Sequence, residues 1–296
     1  MSTTYIYLAL AITMVISLYV DLKGHGDKEM SLKQASLWAL GFVTLGVAFG
    51  GFIYVGYGAE MASLYYAGYA LEKALSVDNL LVFTAVFTYF GIKSQTLQHK
   101  ILTWGILGAV VFRGLFVMAG TWVANLHWSA MLVFAAIIAF SAYGMLGDDD
   151  DVNLEESKVV KLLKKIFPVS ATQVGEKFFF AGMVTPAFLA LVTVELMDVV
   201  FAFDSVPAII AVTKDNVLVY SAMVMAILGL RPLYFVLQSL LSKLPHLKTA
   251  VVALLFLVAG KLVAGAAGFH MNPNVSLGII VGILALGCIP FSKKVV

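Results

Sequence analysis

Acidic residues stand at matched positions in two distant apolar stretches, "LEKALSVDNLLVF" and "LVTVELMDVVFAFDSVPAII". Each stretch has an acid, five further residues, an aspartate and then a small polar residue. The positions match at an offset of 126 residues and are Glu72 with Asp198, Asp78 with Asp204, and Asn79 with Ser205. Carboxylate, amide and hydroxyl oxygens are hard ligands that suit Mg²⁺, Ca²⁺ or Mn²⁺ better than Cu⁺ or Zn²⁺. The pattern predicts an oxygen-rich site for a divalent cation.

Two further candidate ligands lie beside Asp198. Glu195 adds a fifth carboxylate, and Met197 offers a soft sulfur that would favour a transition metal, although packing in the apolar core is the alternative use of a methionine. The five histidines lie in loops or at the ends of apolar segments, away from these acids. We therefore expect no imidazole site.

Basic residues also interrupt the apolar segments. Arg113 and Arg231 follow the two acidic stretches in similar settings, "VVFRGLF" and "LGLRPLYF", and Lys261 lies in "LVAGKLVAG". A guanidinium cannot bind a metal, so Arg113 and Arg231 are predicted to be charge-compensating groups. Lys261 is a third basic residue that could neutralise the acids. Carboxylates without a cation repel one another unless protonated or neutralised, which suggests metal/proton antiport. The alternative is a set of structural ion pairs, and Lys73 has no role assigned by the sequence.

The composition identifies the surroundings of these charges. The chain has 61% hydrophobic and 12% charged residues, with a mean hydropathy of +0.96, which is typical of a polytopic membrane protein. Ionisable residues inside a membrane are costly and normally mark ion or proton pathways. A net charge of +2 argues against nucleic-acid binding, and a single cysteine excludes a disulfide framework within the chain.

Apolar segments long enough to cross a bilayer predict an all-α protein with about nine membrane-spanning helices. The predicted spans are 4–20, 34–56, 61–90, 101–121, 128–147, 178–211, 217–241, 249–268 and 275–290. With the N-terminus outside and the C-terminus in the cytoplasm, fourteen lysines lie in cytoplasmic segments and one, Lys214, in an outer loop. This distribution follows the positive-inside rule.

The two acid-bearing spans are three helices apart, so they cross the membrane in opposite directions. This predicts an inverted-topology repeat with a transmembrane half at 1–147, a cytoplasmic linker at 148–177 carrying an amphipathic helix over 154–167, and a second half at 178–296. Acids six residues apart point about 120° apart on a straight helix. We therefore expect both acid-bearing helices to be broken, at Pro207 in one and near Ser76 in the other.

The two acidic stretches, with "RPLYF" and "LVAGKLVAG", resemble the TerC family of integral membrane proteins, which includes the Alx manganese exporters and is related to the LysE superfamily. The resemblance covers most of the chain. It implies a multi-pass protein of the bacterial inner membrane that exports Mn²⁺ from the cytoplasm. The family's acidic motif residues correspond to Glu72, Asp78, Asn79, Glu195, Asp198, Asp204 and Ser205. The tellurite phenotype in the family name has no counterpart in these residues.

Three functions fit these observations, and a divalent-metal exporter with Mn²⁺ as substrate fits best. A metal-binding, metal-delivery or scaffold protein of the membrane, linked to tellurium resistance, is the second. An aspartyl protease using Asp78 and Asp204 is the third, but the wider set of oxygen donors favours ion coordination over an enzyme. The expected partners are the metal ion and the lipid bilayer, with a homo-oligomer or other membrane proteins compatible with either of the first two functions.

Overall fold

A computed structural model of the chain describes residues 3–25, 30–126, 129–144, 161–162, 165–170, 172–240, 247–269 and 271–287. Helices make up almost all of these residues. In chain order they are α1 Thr3–His25, α2 Leu32–Tyr57, α3 Ala59–Tyr89, α4 Gln95–Leu126, α5 Ser129–Gly144, α6 Pro186–Val212, α7 Asn216–Ile227, α8 Leu230–Leu240, α9 Leu247–Ala266 and α10 Pro273–Gly287.

The predicted all-α membrane architecture is confirmed, whereas the count of nine spans is not. Each predicted span overlaps one helix, or for the seventh span the pair α7 and α8. By length and hydropathy, five described helices could cross a membrane, namely α1, α2, α4, α6 and α9, and the bent pair would make six. Among the others, α3 carries four charged residues, and α5 and α10 have only 16 and 15 residues.

Large apolar side chains cover much of the outer surface of the helices. Val55 is 86% exposed, Phe140 80% and Trp122 66%. Water would oppose this much exposed apolar surface, and a lipid environment would not, because hydrocarbon tails are as apolar as these side chains. The surface therefore fits a protein embedded in a bilayer.

Helix α3 lies in the middle of the described bundle. It packs against α2, α6, α7 and α10, while α4 packs against α6 and α5 packs against α9. Helices from the two predicted halves are thus in direct contact with each other. The division at 148–177 and the inverted orientation of the repeats stay predictions, and most of the predicted linker helix at 154–167 lies outside the described residues.

The predicted break in the acid-bearing helices was wrong. Helix α3 runs without interruption through Ser76, and α6 contains Pro207 inside continuous helix. Unpaired backbone groups are costly at membrane depth, so the backbone keeps its helical hydrogen bonds despite the competing Ser76 side chain. A single proline removes one such bond, and neighbouring helices in a bundle tolerate that loss.

The break occurs instead one span later, between α7 and α8. The two helices meet at an angle of 48°, and Gly229 between them has a φ of +82°. Only glycine adopts this left-handed conformation at little cost. Pro232 lies in the first turn of α8, where its missing N–H removes the donor that a continuous helix would direct at the Leu228 carbonyl. "LGLRP" is therefore the sequence cause of the break.

A short hairpin precedes α6. Strand β1 (Phe179–Phe180) pairs antiparallel with β2 (Met183–Val184), and the turn residues Ala181 and Gly182 both have positive φ. The sixth span was predicted to begin at residue 178, but its helix begins at Pro186, because this turn interrupts the apolar run. Lys100 donates a hydrogen bond of 2.7 Å to the Glu176 carbonyl, so the hairpin region lies against the start of α4.

Candidate functional site

Arg113 of α4 connects the two acid-bearing helices. Its Nε and Nη2 donate to the two carboxylate oxygens of Asp198 on α6, at 3.2 and 2.7 Å, and its Nη1 forms an ion pair with Glu72 Oε1 on α3. Arg113 and Glu72 are fully buried, and Asp198 is 5% exposed. The bidentate contact with Asp198 fixes the plane of the guanidinium and suits arginine rather than lysine. We call these three residues the Arg113 cluster.

The Arg113 cluster brings together the first of the matched pairs of acids, one acid from each stretch. Glu72 and Asp198 are the residues that the offset of 126 lays on each other, and they bind opposite sides of one guanidinium. Arg113 thus contacts one acid from each stretch, and its charge-compensating role stays a prediction. Two carboxylates facing one guanidinium leave the cluster with an excess of negative charge when both are ionised.

Glu195 lies one helical turn before Asp198 and rests on a glycine of α4. A Cβ atom at Gly108 would overlap the Glu195 carboxyl group, so only glycine leaves room for it. Glu195 and Asp198 both line a cavity of about 20 Å³ whose other walls are apolar. A space of this size holds about one water-sized ligand.

The remaining predicted ligands share α3 and α6 with these acids. Asn79 and Ser205 are 5% and 2% exposed, and the Ser205 hydroxyl has no hydrogen-bond partner among the described residues. Met197 packs in the apolar cluster that contains Ile106, Ala109 and Val194, as expected for a core methionine. Asp78 and Asp204 belong to α3 and α6, but their side chains lie outside the described part of the structure.

The other two basic residues do not join the Arg113 cluster in the described contacts. Arg231 is buried at the start of α8 and donates through Nη1 to Thr103 Oγ1 of α4 at 2.9 Å. Lys261 of α9 donates to Ser276 Oγ of α10 at 3.3 Å. It also lines a larger cavity, of about 410 Å³, where the C-terminal ends of α6 and α9 meet and where Lys214 also lies.

The described side chains alone do not form a complete metal site. No group of three or more His, Cys, Asp or Glu residues among them is placed to hold a metal ion. Glu72 and Asp198 cannot share a metal ion in this arrangement, because the Arg113 guanidinium lies between them. Coordination would therefore require the side chains of Asp78 and Asp204 or a movement of Arg113.

Sequence reasoning missed three contributors to this region. Thr103 accepts a hydrogen bond from Arg231, and Gly108 leaves space for the Glu195 carboxyl group. Lys73 donates hydrogen bonds to carbonyl groups at the break between α7 and α8. The pair Gly105 and Gly108 in "TWGILGAVV" was a usable signal, because small residues in membrane helices allow close approach of a neighbour. Thr103 carried no comparable signal.

Comparison with known proteins identifies the family. The family model described as "Integral membrane protein TerC family" matches residues 57–294, which include the Arg113 cluster and both acid-bearing helices. The chain belongs to the TerC family. It is accordingly an integral multi-pass membrane protein with bacterial homologues.

Curated relatives of this TerC family chain have several names. It is 42% identical to "Tellurium resistance protein TerC" of Serratia marcescens, over 96% of this chain and 92% of that protein. It is 34% identical to "Putative membrane-bound redox modulator Alx" of Salmonella typhi, over 93% and 90%. It is 36% identical to "Thylakoid membrane protein TERC, chloroplastic" of Arabidopsis thaliana, over 81% and 64%. The chain matches no solved structure.

Proposed function

We propose that this chain is a secondary transporter that exports divalent metal ions, with Mn²⁺ as substrate, in exchange for protons. The observation that carries the proposal is the Arg113 cluster, in which buried carboxylates of the two matched helices meet around one fixed guanidinium. Buried ionisable groups inside a membrane protein are costly and usually belong to an ion pathway. Secondary transporters built from inverted repeats place their sites where the repeats meet.

The charge balance around Arg113 supports an exchange of cations. Glu72 and Asp198 face one guanidinium, and Glu195 lines a cavity with Asp198. Asp78 and Asp204 lie on the same two helices. Close carboxylates in a low-dielectric interior cannot all stay ionised without a cation. A divalent ion would neutralise the excess charge, and protons would do so after it leaves. Metal and proton occupancy would then be mutually exclusive.

The ends of the bundle support the proposed direction of transport. The contact between Lys100 and Glu176 joins the start of α4 to the segment before the hairpin, and the lysine distribution assigns both ends of this contact to the cytoplasm. The cavity of about 410 Å³ lies at the C-terminal end of α6, the same helix that carries Glu195 and Asp198. In the bacterial inner membrane, with the N-terminus outside, that cavity would open to the exterior and serve as the exit.

Metal flux in proteoliposomes tests this function. We expect the wild-type protein to move Mn²⁺ faster than Mg²⁺, Ca²⁺ or Zn²⁺, with a rate that changes between two imposed pH gradients. Asp78→Asn and Asp204→Asn should each abolish the flux, because an amide keeps the size of the side chain and removes the charge that binds the ion.

The matched control is Glu60→Gln, which removes an exposed carboxylate from the first turn of the same helix α3. This variant should transport at the wild-type rate. Flux that is insensitive to both aspartate substitutions would contradict the site, and flux that is insensitive to the pH gradient would contradict the exchange with protons.

Gly108 provides a test of Glu195 that leaves the carboxyl group in place. In Gly108→Ala the new methyl group would overlap the Glu195 carboxyl group and displace it from the cavity shared with Asp198. We expect Mn²⁺ flux to fall about tenfold or more, since misplacing a functional group by an ångström can cost an enzyme about 100-fold in rate. The protein should still fold, because the displaced group is the end of a flexible side chain.

The control for this variant is Gly105→Ala on the same face of α4. Its Cβ would lie 3.5 Å from Val194 Cγ1 and 3.8 Å from Glu195 Oε1, which are ordinary contacts. Wild-type flux in Gly108→Ala, measured at equal amounts of folded protein, would show that the position of Glu195 does not matter for transport.

A metal-binding or scaffold role in tellurium resistance is the second candidate. The name of the Serratia marcescens relative favours it, since that protein is called a tellurium resistance protein. Purified protein that binds Mn²⁺ but moves no metal across liposomes would support this role. Resistance to tellurite that survives Asp78→Asn would then separate the resistance from the metal site.

A further inference from the structure

Two of the backbone carbonyls at the break between α7 and α8, those of Ala226 and Leu228, have no donor in their own helix. Pro232 has no N–H to donate to the Leu228 carbonyl, and the change of direction at Gly229 carries the Leu230 amide away from the Ala226 carbonyl. Two free carbonyl oxygens at the C-terminal end of a helix also carry the negative end of its dipole. In a membrane interior such a place favours a cation.

Lys73 of α3 supplies that cation. Its Nζ donates to the Ala226 carbonyl at 2.8 Å and to the Leu228 carbonyl at 3.4 Å. Within the described residues no carboxylate pairs with Lys73, because its neighbour Glu72 binds Arg113 instead. Among the described contacts, the ammonium is therefore held by backbone oxygens, 153 and 155 residues further along the chain.

Free carbonyls at the ends of broken membrane helices are the groups that coordinate Na⁺ in many secondary transporters. An ammonium and a sodium ion have the same charge and accept the same oxygen ligands. We propose that the α7–α8 break is an alkali-cation site whose occupant in this chain is the Lys73 ammonium, a cation tethered to α3. The tethered charge makes a dissolved coupling cation unnecessary at this position.

Removal of the tether should open the site to dissolved cations. The experiment compares thermal unfolding of purified wild type and Lys73→Ala in detergent, in NaCl or choline chloride of equal ionic strength. We expect the wild type to melt at the same temperature in both salts. Lys73→Ala should melt at a lower temperature in choline and should regain stability as Na⁺ rises, because a ligand that binds only the folded state stabilises it.

Lys73→Met is the control, because its unbranched side chain fills the space of the lysine stem without a charge or room for an ion. It should be destabilised to the same extent in both salts. The proposal fails if Lys73→Ala melts identically in both salts, or if no folded protein is obtained even at the highest sodium concentration. A wild type that responds to Na⁺ as strongly as Lys73→Ala would also overturn it, since the cation would then bind elsewhere.

This inference goes beyond the proposed export of metal ions and is independent of it. Its readout is the unfolding temperature and contains no metal flux. A negative sodium result would leave the effects of Asp78→Asn and Asp204→Asn unchanged, and a negative flux result would leave the sodium result unchanged.

Discussion

Arg113→Met is expected to give little or no folded protein. The substitution leaves Glu72 and Asp198 buried and facing each other without their common cation. Removal of one partner of a buried ion pair typically costs about 3–5 kcal/mol, and this arginine serves two acids. Native proteins have only about 5–15 kcal/mol of stability to lose. Size-exclusion chromatography in detergent and the unfolding temperature measure the effect.

The triple variant Glu72→Gln/Arg113→Met/Asp198→Asn is the matched control. Removing all three charges together takes away both the ion pairs and the unpaired acids, so it should recover most of the stability lost in Arg113→Met. Arg113→Lys should lie between them, because lysine keeps the charge but cannot make the bidentate contact with Asp198. An Arg113→Met protein as stable as the wild type would show that the cluster does not hold α3, α4 and α6 together.

Recovery of folding in the triple variant should not restore transport. If the cluster is part of the ion pathway, the neutral protein has lost two of its carboxylates and should move no Mn²⁺. If the cluster is only a structural ion pair, the neutral variant should transport normally. This comparison separates the functional interpretation of these charges from the alternative that the sequence left open.

Gly229→Ala is expected to have the second largest effect on stability. Gly229 has a φ of +82°, and a Cβ added there would overlap Phe42 Cβ of α2. A non-glycine residue in the left-handed region costs about 1–2 kcal/mol, and overpacking a core typically adds about 1–3 kcal/mol. The side chain of Phe42 cannot rotate to relieve the overlap, because its Cβ is fixed by the helix backbone. The unfolding temperature in detergent should therefore fall by many degrees.

The control for this variant is Gly260→Ala in α9. Nothing lies within 4 Å of a Cβ added there, so the substitution should leave the unfolding temperature unchanged or raise it slightly. If both variants unfolded at the same temperature as the wild type, α2 would not pack closely against the α7–α8 break. Loss of stability in Gly229→Ala also bears on Lys73, because the break that this lysine binds depends on the same glycine.

The pattern of charges can be read from the sequence, whereas the partners of those charges cannot. The repeated spacing of Glu72 and Asp78 with Asp198 and Asp204 pointed to a shared site, and Arg113 was expected to balance acids. Only the packing of α4 shows that Arg113 pairs with one acid from each stretch. The same packing shows that Arg231 donates a hydrogen bond to Thr103. Arg113 and Asp198 are 85 residues apart, and no local rule connects them.

The position of the helix break shows the same difference. Pro207 looked like the point of interruption, yet α6 continues through it, while the less prominent Gly229 and Pro232 separate α7 from α8. A proline removes one hydrogen bond, and whether the helix bends depends on what neighbouring helices offer the freed carbonyl. Lys73 donates such hydrogen bonds to the carbonyls of Leu228 and Ala226. Its role could not be assigned without knowing that α3 packs against α7.

The sequence by itself determined that the chain is an all-α membrane protein, which apolar segments form its helices and which residues carry charge into those segments. Hydropathy and segment length are local quantities, so they can be read from the chain directly. Tertiary structure decided which faces meet. Because α3, α4 and α6 carry apolar residues all around, they lack the distinct polar and apolar stripes that would indicate a buried face. Only the packing of α3, α4 and α6 placed Glu72, Arg113 and Asp198 together.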